Sequence, residues 1–410
     1  MSLGETAFYL GLMTLSLAYA MGLVVLSRNP RVSSSRSKDD FYPTVSLVVP
    51  TYNEGVVIRR KLDNLLQLDF PREKLEVLVV DSGSTDNTRA IVRSIADGNG
   101  DRLKITLIEQ PTRTGKSEAI NEALKHVRSE VLVLSDADVT FPPEALARLV
   151  SNFADPSLGA VSGVEVPVGG DAIWDRLESG YRSVYTAIRI AEANADTPFM
   201  CESEFSAYRR KVLQPLRKGC VCDDVELTIG VRSTGARAAY DLSSPFFEKE
   251  ASTPKSKFLH KLRRGMANQH ALLRNTGVLF NKPYGKYGSV VFPFEFFAHI
   301  LSPILISMSL ILFLAVALTT PSSVPFLALA TILSALAPLS ALRRLVRRNV
   351  NARVPHVTGA SHWILGTFGF IVFQFALLGG LVLLVLKGPR VNWKQIPETR
   401  TAFLSEFNLG

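Results

Sequence analysis

The chain of 410 residues is 47% hydrophobic and only 20% charged, against about 25% charged in ordinary soluble domains, which excludes a disordered or fibrous protein and argues against a wholly soluble one. Three cysteines, Cys201, Cys220 and Cys222, form no disulfide framework, and no second Cys or His pair stands at zinc-ligand spacing from them. The net charge of +9 comes without a nucleic-acid motif, so an anionic membrane surface accounts for it and no nucleic-acid partner is expected.

In chain order, the first element is an uncharged run over residues 6–26, long enough to cross a hydrocarbon core. Ala18-Tyr19-Ala20 has the look of a signal-cleavage site, but no Lys or Arg precedes the run, and the apolar residues continue past it. Arg28, Arg31, Arg36 and Lys38 follow, so the positive-inside rule makes the run an anchor with its C-terminal side in the cytoplasm. A serine-rich linker, residues 27–43, leads to a polar stretch over 44–255.

There, strand-like runs over 45–49, 76–80, 104–109 and 131–134 alternate with amphipathic helices over 55–68, 87–96, 116–127 and 142–153. This alternation predicts an α/β domain with a mainly parallel sheet covered on both faces. Ligands bind such sheets beyond the C-terminal strand ends. Polar clusters stand at those ends: Pro50-Thr51-Tyr52-Asn53-Glu54, Asp81-Ser82-Gly83-Ser84-Thr85-Asp86 and Asp136-Ala137-Asp138. No G-x-G-x-x-G follows the first strand. The P-loop-like Thr114-Gly115-Lys116-Ser117 has Gln110 where a P-loop needs its first glycine. Both a dinucleotide oxidoreductase and a P-loop NTPase thereby lose their support.

On a turn, Asp136 and Asp138 can converge on a hard divalent cation shared with substrate phosphates; alone, the pattern serves equally as a helix-capping acidic turn. In order, Pro50-Thr51-Tyr52-Asn53-Glu54, the Asp81 turn, Gly115-Lys116-Ser117-Glu118-Ala119-Ile120-Asn121 and Asp136-Ala137-Asp138 resemble the GT-A fold of family 2 glycosyltransferases. That family includes cellulose, chitin and hyaluronan synthases and polyprenyl-phosphate sugar transferases. The resemblance covers residues 45–269. It implies that Asp81 holds the nucleotide base, with Thr51 and Glu54 lining a uridine pocket. It further implies that Asp136 and Asp138 hold the ribose and a diphosphate bridged by Mg2+ or Mn2+, and that Lys116 belongs to the nucleotide loop. Plainer roles stand beside these: a first-turn carboxylate for Glu54, an N-cap for Asp86 and a solvated first-turn lysine for Lys116.

Cys222-Asp223-Asp224-Val225-Glu226 resembles the family's Glu-Asp motif, with Asp223 in the Glu position and Asp224 matching the base that deprotonates the acceptor hydroxyl. Met200-Cys201-Glu202-Ser203-Glu204 resembles the acceptor-side segment, with Ser203 where the family has glycine. The Gln-x-x-Arg-Trp signature is reduced to His260-Lys261-Leu262-Arg263-Arg264, which keeps Arg263 as a diphosphate clamp and loses the tryptophan that stacks on a growing polymer.

Residues 256–298 read as interfacial amphipathic helices, the Lys and Arg of 255–274 facing lipid phosphates and Phe292, Phe294, Phe296 and Phe297 leading into the membrane. Three further spans, 299–319, 324–342 and 361–386, complete a membrane region over 299–386, with a tail over 387–410. Arg343, Arg344, Arg347, Arg348 and Arg353 place the hairpin's return in the cytoplasm, but the helix count then puts the basic tail outside, against the charge rule. Trp174, Tyr181 and Tyr185 share a helical face, a buried one or an acceptor platform. The whole reads as a multi-pass protein of the cell membrane with a cytoplasmic catalytic domain. The resemblance implies an inverting transferase using a UDP-sugar donor and a polyprenyl-phosphate-linked or glycan acceptor. A processive polysaccharide synthase and a nucleotide-sugar-binding pseudoenzyme are the alternatives.

Overall fold

The computed structural model describes residues 2–28, 41–168, 173–249, 251, 253–349 and 360–389. In chain order the principal elements are α1 (Leu3–Ser27), β1 (Val45–Thr51), α2 (Ile58–Leu66), β2 (Leu75–Ser82), α3 (Thr88–Gly98), β3 (Lys104–Gln110), α4 (Lys116–His126), β4 (Val131–Ser135), α5 (Ala145–Ser151), β5 (Leu158–Val168), α6 (Ile173–Ala195), β6 (Phe205–Arg209), α7 (Asp223–Ser233), β7 (Arg237–Lys249), α8 (Pro254–Arg274), α9 (Phe292–Phe296), α10 (Ser302–Thr319), α11 (Val324–Asn349) and α12 (Ala360–Lys387). They divide into an α/β unit, within Ser33–Asp175 and Met200–Lys257, and a helical unit, within Met1–Val32, Arg176–Phe199 and Phe258–Pro389.

The α/β unit is built on a seven-stranded sheet in the order β3-β2-β1-β4-β6-β5-β7. β1 pairs in parallel with β2 and β4, β2 with β3, and β5 with β7, while β6 runs antiparallel to both β4 and β5. The central strands are apolar on both sides because both faces are covered. Leu47 and Val49 pack with Leu62 and Leu65 of α2, Val92 of α3 and Leu146 of α5. On the opposite face Val48, Leu78 and Val80 meet Ile120 and Leu124 of α4 and Leu227 of α7. The four strands and four helices expected at the start of this unit all form, with ends moved by a few residues.

In the helical unit α1 opens with a capping box: Ser2 N–H donates to Glu5 Oε2 at 2.6 Å, and Glu5 N–H to Ser2 Oγ at 3.2 Å. Tyr19 Oη donates to Ser302 Oγ at 2.7 Å and Ser16 Oγ to the Ser334 carbonyl at 2.6 Å, tying α1 to α10 and α11. Among the described residues four helical runs, Leu3–Ser27, Tyr287–Thr319, Pro321–Val346 and Gly369–Lys387, are long and apolar enough to cross a membrane.

The second run starts well before residue 299 because α9 and α10 are joined into one rod by π-helical turns at Tyr287–Val291 and Phe297–Leu301. Phe292 and Phe294, expected at the membrane interface, are buried inside the unit. The rod tolerates Glu295 because the Arg189 guanidinium meets it at 3.0 Å and Glu192 at 2.6 Å, all three side chains being excluded from solvent. Tyr181 and Tyr185 are half-buried, their rings tilted against each other at 4.6 Å, and Tyr181 meets Phe373 at 4.7 Å, so the pair is packed within the helical unit, while Trp174 is exposed.

The basic residues of α8 do not all face lipid phosphates. Lys257 is buried against Asp175 at 3.0 Å. Lys261 pairs with Glu178 at 2.6 Å and lies 4.2 Å over the Tyr181 ring. Burial brings the Lys261 amine down to about 8, with Glu178 acting the other way. Gly265 and Gly380 let α8 and α12 approach, and Gln269 Nε2 donates to the Leu377 and His299 carbonyls at 2.8 and 2.9 Å. Arg31, Arg36, Lys38, Arg353 and the tail residues Arg390, Lys394 and Arg400, on which part of the orientation argument rests, lie outside the described residues.

Candidate active site

Parallel pairing brings the polar clusters to one edge. Thr51 lies opposite Asp81, which in turn lies opposite Glu109. Antiparallel pairing sets Ser135 opposite Phe205, so the segment entering β6 lies beside the turn leaving β4.

The first two loops are stitched together. Asn53 adopts a left-handed conformation with φ 54°, donates its N–H to Ser84 Oγ at 2.9 Å and accepts the Thr85 N–H on Oδ1 at 2.8 Å. Asp86 accepts the Gly55 and Thr88 N–H groups at 3.0 Å each, and Glu54 N–H donates to Thr88 Oγ1 at 2.8 Å. Asp86 therefore binds both the start of α3 and the opposite loop, but the N-cap position itself is Asn87, so the N-cap expectation for Asp86 is corrected by one residue. Glu54 is buried and lies ahead of α2, its carbonyl accepting the N–H groups of Val57 and Ile58.

Asp81 is fully buried. Its Oδ2 accepts from Arg89 Nε at 2.6 Å and from the Ser84 N–H at 3.0 Å, while its Oδ1 accepts no hydrogen bond. A buried carboxylate oxygen without a protein partner keeps its full capacity to accept hydrogen bonds. The Arg113 guanidinium lies over the Tyr52 ring at 4.1 Å. The reading of the sequence passed over this pair, and the aromatic within Pro50-Thr51-Tyr52-Asn53-Glu54 was the available signal.

Beyond β4 the charges converge on Lys116, the first residue of α4, set there by Gly115 at φ 96°. Its ammonium lies 2.7 Å from Asp136 Oδ1, 2.7 Å from Ser203 Oγ and 3.5 Å from Asp223 Oδ2. Burial works to lower the Lys116 pKa, but Asp136, Asp223, Asp224 and Glu204 together drive it well above the ordinary lysine value. Lys116 is thus not a solvated first-turn lysine.

Asp224 retains partial access to solvent and accepts the Ser203 N–H on Oδ1 at 2.8 Å. Dehydration, then repulsion from Asp223 and Glu204, pushes its carboxyl well above the usual range, against the pull of Lys116 and the Ser203 hydrogen bond. Ser203, the departure from the family glycine, therefore touches both Lys116 and Asp224.

The Asp136-Ala137-Asp138 turn is held from beneath by α2. Lys61, fully buried, donates to Ser135 Oγ at 2.6 Å and to the Val139 carbonyl at 2.9 Å. Burial brings its amine down to about 7, opposed by Asp136. Either protonation state carries the two N–H donors these contacts need. Among the described residues no three His, Cys, Asp or Glu side chains form a complete metal-ligand group. Asp136 and Asp138, two carboxylates on one turn, are the residues that would hold a hard divalent cation such as Mg2+ or Mn2+. Arg263 stands on α8, in the helical unit.

A mainly parallel seven-stranded sheet with an antiparallel β6 and carboxylate-bearing loops at the β2 and β4 ends is consistent with the GT-A class. Residues 46–217 match the model of glycosyl transferase family 2. Those residues are therefore similar to family 2 glycosyltransferases, and the fold is that of the GT-A class. A beta-monoglucosyldiacylglycerol synthase of Synechocystis is 35% identical over 33% of this chain, and a poly-beta-1,6-N-acetyl-D-glucosamine synthase of Staphylococcus aureus is 24% identical over 52%. The alignments span 28% and 53% of those two relatives' own lengths. Among solved structures, a mannosyltransferase from Pyrobaculum calidifontis in complex with GDP-Man and Mn2+ superposes with a TM-score of 0.70 at 26% identity, covering 92% of this chain and 99% of that one.

Proposed function

We propose that this protein is a membrane-integral, inverting glycosyltransferase that moves one sugar from a UDP-sugar to a lipid-linked acceptor, with Asp224 as base. The observation that carries the reading is the convergence of Lys116, Asp136, Asp223, Ser203 and Asp224 at the strand ends. Asp224, with its affinity for protons raised by burial and by Asp223, takes the proton of the acceptor hydroxyl as the oxygen attacks the anomeric carbon. The new carbon–oxygen bond forms as the bond to the diphosphate breaks on the opposite side, which inverts the centre. Lys116 offsets charge on the departing diphosphate. Asp136 and Asp138 would hold a divalent cation, which supplies Lewis-acid stabilisation of that leaving group when bound.

For the base, the buried Asp81 Oδ1 is the acceptor we assign to the N3–H of uracil, Asp81 Oδ2 being engaged by Arg89 and Ser84. Thr51 and Glu54 line the same pocket. A lipid acceptor is favoured by the replacement of the stacking tryptophan with Arg264 and by the glycolipid-forming relative, and four apolar helices suit a membrane-embedded substrate. The poly-N-acetylglucosamine synthase relative supports the processive alternative.

The test is nucleotide release by detergent-purified protein from panels of UDP- and GDP-sugars, with Mn2+ or EDTA, with and without polyprenyl phosphate and diacylglycerol, beside Asp224→Asn. UDP release that needs Mn2+, rises with one lipid and falls about 10²–10⁴-fold in the variant is the expected result. Lipid-independent release with accumulating polymer would establish the synthase instead, and nucleotide binding without any turnover a pseudoenzyme.

A further inference from the structure

Resting on the reading of the Asp136-Ala137-Asp138 turn as the metal-diphosphate loop, we infer that Lys61 is its positioning residue, the centre of a polar stripe on α2 that fixes the loop before any ligand arrives. Lys61 occupies the helix face that otherwise carries Ile58, Leu62 and Leu65, and is as fully excluded from solvent as they are. Placing a lysine there costs dehydration of its amine, so its contacts have to answer for it. They reach both ends of the turn: Ser135 Oγ on the last residue of β4 and the carbonyl of Val139, just past Asp138. The amine also lies 4.4 Å over the face of Phe141.

Its neighbours extend the grip. Arg60 Nη2 donates to the Asp138 carbonyl at 3.2 Å. Asn64 Nδ2 donates to the Phe141 carbonyl at 2.9 Å and its Oδ1 accepts the Phe141 N–H at 3.2 Å. Ser135 Oγ passes the constraint on to the Glu204 carbonyl at 3.0 Å, and Thr140 is bridged to Phe247 of β7. Residues 135–141 are thus held from α2, from β7 and from the segment entering β6. The carboxylates of Asp136 and Asp138 are presented on a backbone that has little freedom left to lose when a metal nucleotide binds. Because α2 follows directly on the loop of Thr51 and Glu54, the same helix also links the two ends of the nucleotide site in one rigid piece.

The test is calorimetric binding of UDP, or of GDP where the wild type prefers it, to the full chain in detergent, once with Mn2+ and once with EDTA. Lys61→Met keeps the stem and removes both donors; Ser135→Ala keeps the lysine and removes one acceptor. In Lys61→Met the Mn2+-dependent affinity should fall about 10–100-fold, the usual effect of removing a group that orients a metal ligand, while nucleotide affinity in EDTA stays at the wild-type value. Ser135→Ala should show a smaller loss of the same kind, and decides the matter alone where Lys61→Met does not fold. Folded variants that bind Mn2+ and nucleotide as the wild type does overturn the proposal. So does an equal loss with and without Mn2+, which would make Lys61 a general stabiliser. A wild-type protein showing no Mn2+-dependent nucleotide binding overturns the reading of the site, and this proposal with it.

Discussion

The Lys116 ammonium stands 2.7 Å from Asp136, joining the start of α4 to the turn after β4 across 19 intervening residues of chain. Through its contacts with Ser203 and Asp223 the same ammonium reaches the acceptor-side segment and the start of α7. One cation therefore sets the electrostatics of the Asp136 turn and of Asp224 together.

This coupling has a pH signature. Lys116 favours the ionised form of Asp224, while burial, Asp223 and Glu204 oppose it. Removing the cation in Lys116→Met should move the acid limb of the kcat/KM profile to higher pH, because the base then ionises later. The profile, followed by nucleotide release, should show wild-type activity falling on the acid side already above the ordinary carboxylate range. An unmoved limb in the variant would mean that Asp224 is not the titrating base.

Asp81→Asn removes the charge from a buried acceptor whose other oxygen is held by Arg89. We expect UDP affinity in EDTA to fall about 10–100-fold, the value of a hydrogen bond to a charged group, with no change in the Mn2+ requirement. Calorimetry with UDP reads both.

Two glycines should respond with opposite signs. Gly83 has φ +72°, and a Cβ there would lie 2.7 Å from the Thr112 carbonyl carbon, so Gly83→Ala should lower stability by about 1–3 kcal/mol. Gly230 is inside α7 with open space around it, so Gly230→Ala should raise stability by about 0.5–1 kcal/mol. Thermal melts of the two variants beside wild type check the contrast.

In the helical unit, Arg189→Met leaves Glu192 and Glu295 buried without their cation and should destabilise by about 3–5 kcal/mol. Burial raises the Glu192 pKa to about 8 even with Arg189 present. A folded-state pKa above the unfolded value means that this carboxyl favours folding more as pH falls, so the loss in the variant should be smaller at acid pH than at pH 8. Melting temperatures across that range give the sign directly.

The sheet was legible in the sequence because strands buried on both faces must be continuously apolar, and the loops that end them must carry the polar groups that bind ligand. Asp81, Asp136 and Asp138 each announce themselves at or within a few residues of such an end, whereas Asp224 opens a helix well away from any strand and is picked out by its acidic pair with Asp223. Sequence alone thus determined the fold class, the order of the loops and the four apolar runs. What it did not contain was which charge meets which. Lys61 looks like any helical lysine until Ser135 and Val139, more than seventy residues on, close around it. Arg189 and Glu295 lie 106 residues apart. Lys257 and Lys261 suit a lipid surface equally well until Asp175 and Glu178 bury them. The worth of a charge depends on its partner and its dehydration, and both are fixed only when distant segments pack.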